Sequence, residues 1–175
     1  MKLKHGLILL LLATLGSIGT AEAAGRPGKI VGYQYVTFAD GDAPLEDNVI
    51  HYIPCYPTNK DCQQVQEAMQ SELTKAQAEM KQARLSLEQP AEAWSVYSQL
   101  DQQLLPMLLD KPGYKSIKTG KKGVFRFNCP TTSCLIYSFG VVRDRYGYWL
   151  TTSPGRKRLD LGPGKGIAED KPRSL

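Results

Sequence analysis

The spacing of apolar positions along this chain changes period twice. Lys29 to Phe38 is dense in β-branched and aromatic residues and predicts a strand, closed by the turn chemistry of Ala39-Asp40-Gly41-Asp42-Ala43-Pro44. Asn48 to Ile53 predicts a second strand, ended by Pro54, Pro57 and a first pair of cysteines. From Asp61 to Glu88 neither Gly nor Pro occurs, and apolar residues fall at Val65, Met69, Leu73, Ala76, Met80, Ala83 and Leu87. Steps of three and four predict an amphipathic helix with a narrow stripe. Pro90 suits the first turn of a second helix, whose broad face would hold Trp94, Tyr97, Leu100, Leu104 and Leu105 until Pro106 kinks or ends it. The short break at Glu88-Gln89-Pro90 makes the two an antiparallel helical hairpin.

From Tyr114 the period returns to two. Lys115–Lys118 predicts a short strand, Gly120-Lys121-Lys122-Gly123 a turn, and Val124-Phe125-Arg126-Phe127 the next strand. Cys129 to Cys134 brackets another turn. A longer strand follows with Leu135, Tyr137, Phe139 and Val141 on one face, turning near Arg143-Asp144-Arg145 into Tyr146–Thr152, and a last strand is expected around Lys157–Leu161. The predicted fold class is mainly β with an α insertion: a sandwich of about seven strands, interrupted by a long antiparallel helical hairpin.

The N-terminus changes the picture of where this fold works. Lys2, Lys4 and His5 precede an apolar run from Leu7 to Leu15, and Ala21-Glu22-Ala23 completes a signal-peptide pattern. The expected organisation is a signal peptide over 1–23, a single β-sandwich domain over 24–161 with the hairpin inserted at 61–109, and a flexible tail over 162–175. An exported chain, secreted or periplasmic, favours disulfides. The four cysteines allow three pairings. Cys55 with Cys62 and Cys129 with Cys134 is the expected one, because each pair brackets a turn-rich segment. A four-cysteine zinc site is disfavoured, since neither pair has the C-x2-C spacing.

Charge excludes little and includes less. The chain carries a formal net charge of +5, and removing Lys2, Lys4 and Glu22 leaves 20 basic and 16 acidic side chains, a net of +4. That balance gives mild attraction to anionic surfaces and no signature of nucleic-acid binding. The apolar core of the leader is shorter than the roughly 20 residues a membrane-spanning helix needs, so no membrane span is expected.

The run Thr119-Gly120-Lys121-Lys122-Gly123-Val124-Phe125-Arg126-Phe127, followed by Cys129-Pro130 and Leu135–Tyr137, resembles the T-D-x-x-G-x-F-x-F…P…Y signature of carboxypeptidase-regulatory-like domains. That family has a transthyretin-like β-sandwich, and the resemblance implies such a scaffold here. The chain departs from the signature at Gly120, where an acidic residue is usual, and in its helical insertion. The resemblance implies nothing about a ligand, because such modules serve many functions.

Candidate chemistry is sparse. After the leader, His51 is the lone histidine, without a second His to share a metal or a triad. No G-x-S-x-G elbow occurs, and Gly162-Pro163-Gly164-Lys165-Gly166 lacks the spacing of a phosphate loop. No catalytic residue, metal ligand or cofactor is assigned, and the chain is expected not to be an enzyme. The first expectation is an exported binding module that docks a protein partner through the hairpin stripe, with Met69, Leu73, Met80 and Leu87 as apolar contacts. The second is a cell-envelope or glycan-binding module using Tyr146 and Tyr148 with Arg143 and Arg145; stacking on a sugar requires that those rings be exposed. Trp149, on the opposite side of that strand, is expected in the core. Basic turns at Lys118, Lys121 and Lys122 and at Arg156, Lys157 and Arg158 could add an anionic contact or merely protect strand edges. A secreted inhibitor of a hydrolase is a third reading. The oligomeric state is not legible.

Overall fold

Alternation along β1 (Gly28–Phe38) sorts Ile30, Gly32, Gln34 and Val36 to a buried face and Lys29, Val31, Tyr33 and Tyr35 to the other. In this computed structural model the described residues are 27–58, 60–86, 98–142, 145–155, 157–163 and 168–169, with side chains described except over 78–86 and 168–169. β1 carries β2 (Gly41–Pro44) and β5 (Val124–Cys129) antiparallel and β8 (Arg158–Leu161) parallel. A second sheet runs β4 (Lys115–Lys118), β3 (Val49–Cys55), β6 (Ser133–Val142), β7 (Arg145–Pro154) and β9 (Ala168–Glu169) in that order.

The two sheets pack through one apolar cluster. Ile30, Val36, Phe125 and Phe127 from the first sheet meet Ile50, Tyr52, Ile136 and Trp149 from the second. A separate cluster fills the second sheet's other face. There Ile53, Leu135, Tyr137, Tyr146, Tyr148 and Leu150 meet Val65, Met69 and Leu73 of α1 (Asp61–Ser86), together with Leu100, Leu104 and Leu108. The layers are therefore sheet, sheet and helix, and β6 and β7 are buried on both faces.

This arrangement corrects the expected seven-stranded sandwich with a long antiparallel hairpin over 61–109. The described residues are mostly β, with nine strands among them in sheets of four and five. Among the described residues α1 has no long antiparallel mate: α2 covers only 98–104, and α3 (Pro106–Leu109) is a single turn. Pro106 accounts for the break after 104, since proline supplies no backbone donor and fits a helix only at its start. The stripe at Val65, Met69 and Leu73 lies against the second sheet because burying it there removes apolar area from water, worth about 1.5–3 kcal/mol per large side chain. Trp94, Tyr97 and Leu87 lie outside the described residues.

Two strands were not expected. Gly41–Pro44, read from sequence as a turn, pairs with Tyr35–Phe38. Ala168–Glu169, in the expected flexible tail, pairs with Gly147 and Tyr148. The leader over 1–23 lies outside the described residues, and no helix among them is long and apolar enough to cross a membrane.

Each disulfide fastens two layers. Cys129–Cys134 joins β5 of the first sheet to β6 of the second, and Cys55–Cys62 joins β3 to the first turn of α1. Between the sheets sits a satisfied polar bridge. Gln34 and Ser138 are fully buried; Gln34 Nε2 donates to Ser138 Oγ at 2.9 Å, and Ser138 Oγ donates to the Val49 carbonyl at 2.7 Å. Asn48 Nδ2 donates to Gln34 Oε1 at 2.9 Å and to the Phe139 carbonyl at 3.0 Å. Gly123 closes the turn before β5 with φ +66°, and a Cβ there would stand 2.1 Å from the Gln34 carbonyl oxygen.

Two stability predictions follow from this packing. Leu73→Ala should lower the unfolding free energy by about 2–5 kcal/mol, because Leu73 is fully enclosed and the cavity cannot fully collapse. Ser138→Ala should cost about 1–3 kcal/mol, since Gln34 loses its acceptor while remaining buried. Urea unfolding followed by circular dichroism measures both; a loss within error of zero for either would contradict the layer assignment.

Candidate functional site

The outward face of the first sheet holds the larger of two adjoining depressions. Pairing register explains its contents, since residues opposite one another in adjacent strands share a face. Tyr33 stands beside Asp160, Val31 beside Arg158 and Tyr35 beside Pro44. The resulting groove, about 470 Å³, is lined by Tyr33, Tyr35, Asp42, Pro44, Lys122, Arg158 and Asp160. Tyr33 and Tyr35 are two residues apart, hence about 7 Å along the strand. Tyr33 is 36% exposed, while Tyr35 is half-buried against Gly162.

The polar groups around these rings are organised. The Arg158 guanidinium lies 4.9 Å from the centre of the Tyr33 ring, a cation–π arrangement that holds both in place. Tyr35 donates a long hydrogen bond, 3.5 Å, to Asp160 Oδ2. Burial, then the nearby Asp160 and Asp42 carboxylates, raise the Tyr35 pKa above its usual value, so the phenol remains a donor at neutral pH. Thr37 Oγ1 donates to Asp42 Oδ1, fixing that carboxylate beside the β1–β2 turn. Lys122 also lines the groove and is exposed, and its backbone N–H donates to Glu46 Oε1 at 2.8 Å.

The site residues expected from the sequence do not gather here. Met69 and Leu73 are fully buried in the layer between α1 and the second sheet, and so cannot meet a partner without opening that layer. The side chain of Met80 and all of Leu87 lie outside the described residues. Tyr146 and Tyr148 are 8% and 0% exposed, which corrects their proposed role as a stacking platform: both sides of β7 are core. Arg145 lies 5.2 Å from the Phe38 ring, and Arg143 is outside the described residues. Cys55, Cys62, Cys129 and Cys134 form the two expected local disulfides.

Tyr33 and Tyr35 were missed because hydrophobicity along β1 points the wrong way. Val31, Tyr33 and Tyr35 look like the core side, whereas the buried side includes Gly32 and Gln34. Gly32 is buried because a Cβ there would meet the Phe125 ring at 2.3 Å and the Leu159 carbonyl at 2.4 Å. The usable signal was the paired tyrosines at i and i+2, whose polar tips tolerate water.

His51 lies elsewhere, under the helices. Its Nδ1 is 2.8 Å from Tyr114 Oη, and its ring neighbours Tyr137, whose hydroxyl donates to Asp101 Oδ1 at 2.7 Å. Burial lowers the His51 pKa, partly opposed by the Asp101 carboxylate. Tyr137 is strongly raised by burial and by Asp101, so it stays protonated. No group of three metal-ligating side chains comes together among the described residues.

No family model matches the chain, and no curated protein matches it. Among solved structures, a Pseudomonas aeruginosa protein named as a candidate carbohydrate binding protein is similar at 12% identity. The alignment covers 81% of this chain and 92% of that one, with a TM-score of 0.34, too low to transfer strand order or ligand.

His51 generates a pH prediction. A half-buried histidine with a lowered pKa binds protons less readily than the unfolded chain does, so its stability contribution is complete above about pH 6.5 and is lost as pH falls towards the lowered folded pKa. Wild type should therefore lose stability on going from pH 7 to 5.5, and His51→Gln should lose less over the same interval. Matching slopes in urea titrations at the two pH values would contradict the assignment.

Proposed function

We propose that this chain is an exported, non-catalytic binding module that holds a glycan on the outer face of its four-stranded sheet. The observation that supports this is the pair Tyr33 and Tyr35 in one open groove that also carries the carboxylates of Asp42 and Asp160 and the cations Arg158 and Lys122. Sugar rings offer apolar C–H faces and polar rims. Aromatic faces meet the first, and carboxylates and cations accept from or donate to the second. The other large exposed apolar side chains among the described residues, Tyr56 and Leu109, have no comparable setting; Tyr56 borders a space of only about 60 Å³. Single exposed hydrophobes of that kind are ordinary surface.

Binding without chemistry is the reading because Asp42 and Asp160 are both exposed. Sugar hydrolysis by paired carboxylates needs one of them held protonated, usually by apolar enclosure. Neither residue has that enclosure. The two disulfides are consistent with an extracellular or periplasmic setting. Docking of a protein through the α1 stripe is set aside because Met69 and Leu73 are already engaged.

Tyr33→Ala should weaken binding of any retained glycan by about 5- to 30-fold, the scale of losing one stacked aromatic contact of about 1–2 kcal/mol, with the circular dichroism spectrum unchanged. A glycan array followed by titration calorimetry on the purified chain is the test. Retention of no glycan, or equal binding by wild type and Tyr33→Ala, would sink the proposal.

A further inference from the structure

We infer that the groove continues past Tyr33 into a cationic subsite, and that its ligand is an acidic glycan whose carboxylate docks on Lys29, Lys157 and Arg158; this rests on the glycan reading above. A second depression of about 340 Å³ is lined by Lys29, Val31, Tyr33, Lys157 and Arg158. It shares Tyr33 and Arg158 with the first, so the two are one continuous surface.

The topology brings these cations together from distant parts of the sequence. Val31 pairs with Arg126 on β5 and with Arg158 on β8, which sets a row of Arg126, Val31 and Arg158 across the sheet. Lys29 stands two residues earlier on the same face of β1. Lys157 is anchored where its carbonyl accepts the Val31 N–H at 3.3 Å. Among the described residues no carboxylate lines this subsite and no ion pair engages Lys29, Lys157 or Arg158.

Both carboxylates, Asp42 and Asp160, line the Tyr33–Tyr35 groove together with Lys122 and Arg158, whereas the charged side chains described around the depression beside Val31 are all cations. From Lys29 to Tyr35 is about 20 Å at the rise of a strand. A long polar chain with one anionic group fits that order. Its hydroxyls reach the carboxylate end, a ring stacks at Tyr33, and the anion reaches the basic end. Arg158 has a special place, because its contact with the Tyr33 ring presents a pre-oriented fork to an oxyanion while the lysines add mobile point charges.

The test compares a tetrasaccharide carrying a single terminal uronate with its methyl ester, the same sugar chain without charge, and with acetate alone, by calorimetry on the purified chain. The acid form should bind about 10-fold tighter than the ester at low salt, with the gap closing as salt rises. The double variant Lys29→Gln/Lys157→Gln, which keeps Arg158, should narrow that gap several-fold without abolishing it. Equal binding of acid and ester by wild type, or an unchanged preference in the double variant, overturns the cationic subsite and leaves the glycan reading standing. Acid-form binding that Tyr33→Ala does not weaken would instead sink the glycan reading and leave an anion site. Acetate binding as tight as the tetrasaccharide overturns the inference, because the sugar would then contribute nothing; no binding of either tetrasaccharide overturns it as well.

Discussion

β6 and β7 run side by side in antiparallel register from Ser133–Pro154 to Val142–Arg145, and their side chains enter apolar layers on both faces. A strand pair with one wet face would need only a single partner layer. Here Ile136 and Trp149 require the first sheet, while Leu135, Tyr137, Tyr148 and Leu150 require the helices. That double requirement dictates three layers and decides which face of every other element is available. β1 must turn Ile30, Gly32, Gln34 and Val36 towards Ile136 and Trp149, which leaves Val31, Tyr33 and Tyr35 outside. α1 must turn Val65, Met69 and Leu73 towards Leu135 and Tyr137, which removes that part of its stripe from the surface. The candidate site is thus the residue of a packing problem solved elsewhere in the molecule.

The connections that hold the layers are few and well placed. Cys129–Cys134 spans the two sheets where the chain crosses between them, and Cys55–Cys62 ties the helix to the end of β3. Loops this short add roughly 2–2.5 kcal/mol each on a chain-entropy account. Between the sheets, the Gln34–Asn48–Ser138 bridge fixes register: a slip of one residue in β1 would bury Tyr33 or Tyr35 in place of Gln34 and break its bonds to both Ser138 and Asn48. Positioning of the outer tyrosines is therefore enforced from beneath, by a polar contact on the opposite face of the same strand.

Much of this was legible in the sequence, and the failures have physical reasons. The period of two located β3, β4, β5, β6, β7 and β8, and the run without Gly or Pro located α1. The local cysteine pairing was legible because each pair brackets a turn. The third layer was not, because alternation at Leu135, Tyr137 and Phe139 was read as one core face while Ile136 supplied a second. Misreading β7 the same way promoted Tyr146 and Tyr148 to the surface. The site on β1 was hidden by Gly32 and Gln34, two residues that hydrophobicity assigns to solvent, yet one makes room for Phe125 and the other is fully hydrogen-bonded inside. Helix pairing over 61–109 was overcalled because spacing reveals a stripe and not what covers it.

The central claim is that recognition occurs on the outer face of the four-stranded sheet and not on the helical layer. Amide chemical-shift mapping of the isotopically labelled chain, titrated with an oligosaccharide it retains, tests this most directly. The account predicts perturbations clustered at Val31, Tyr33, Tyr35, Arg158 and Asp160, with 61–77 unmoved. Perturbations confined to α1, or scattered without a cluster on β1 and β8, would contradict it.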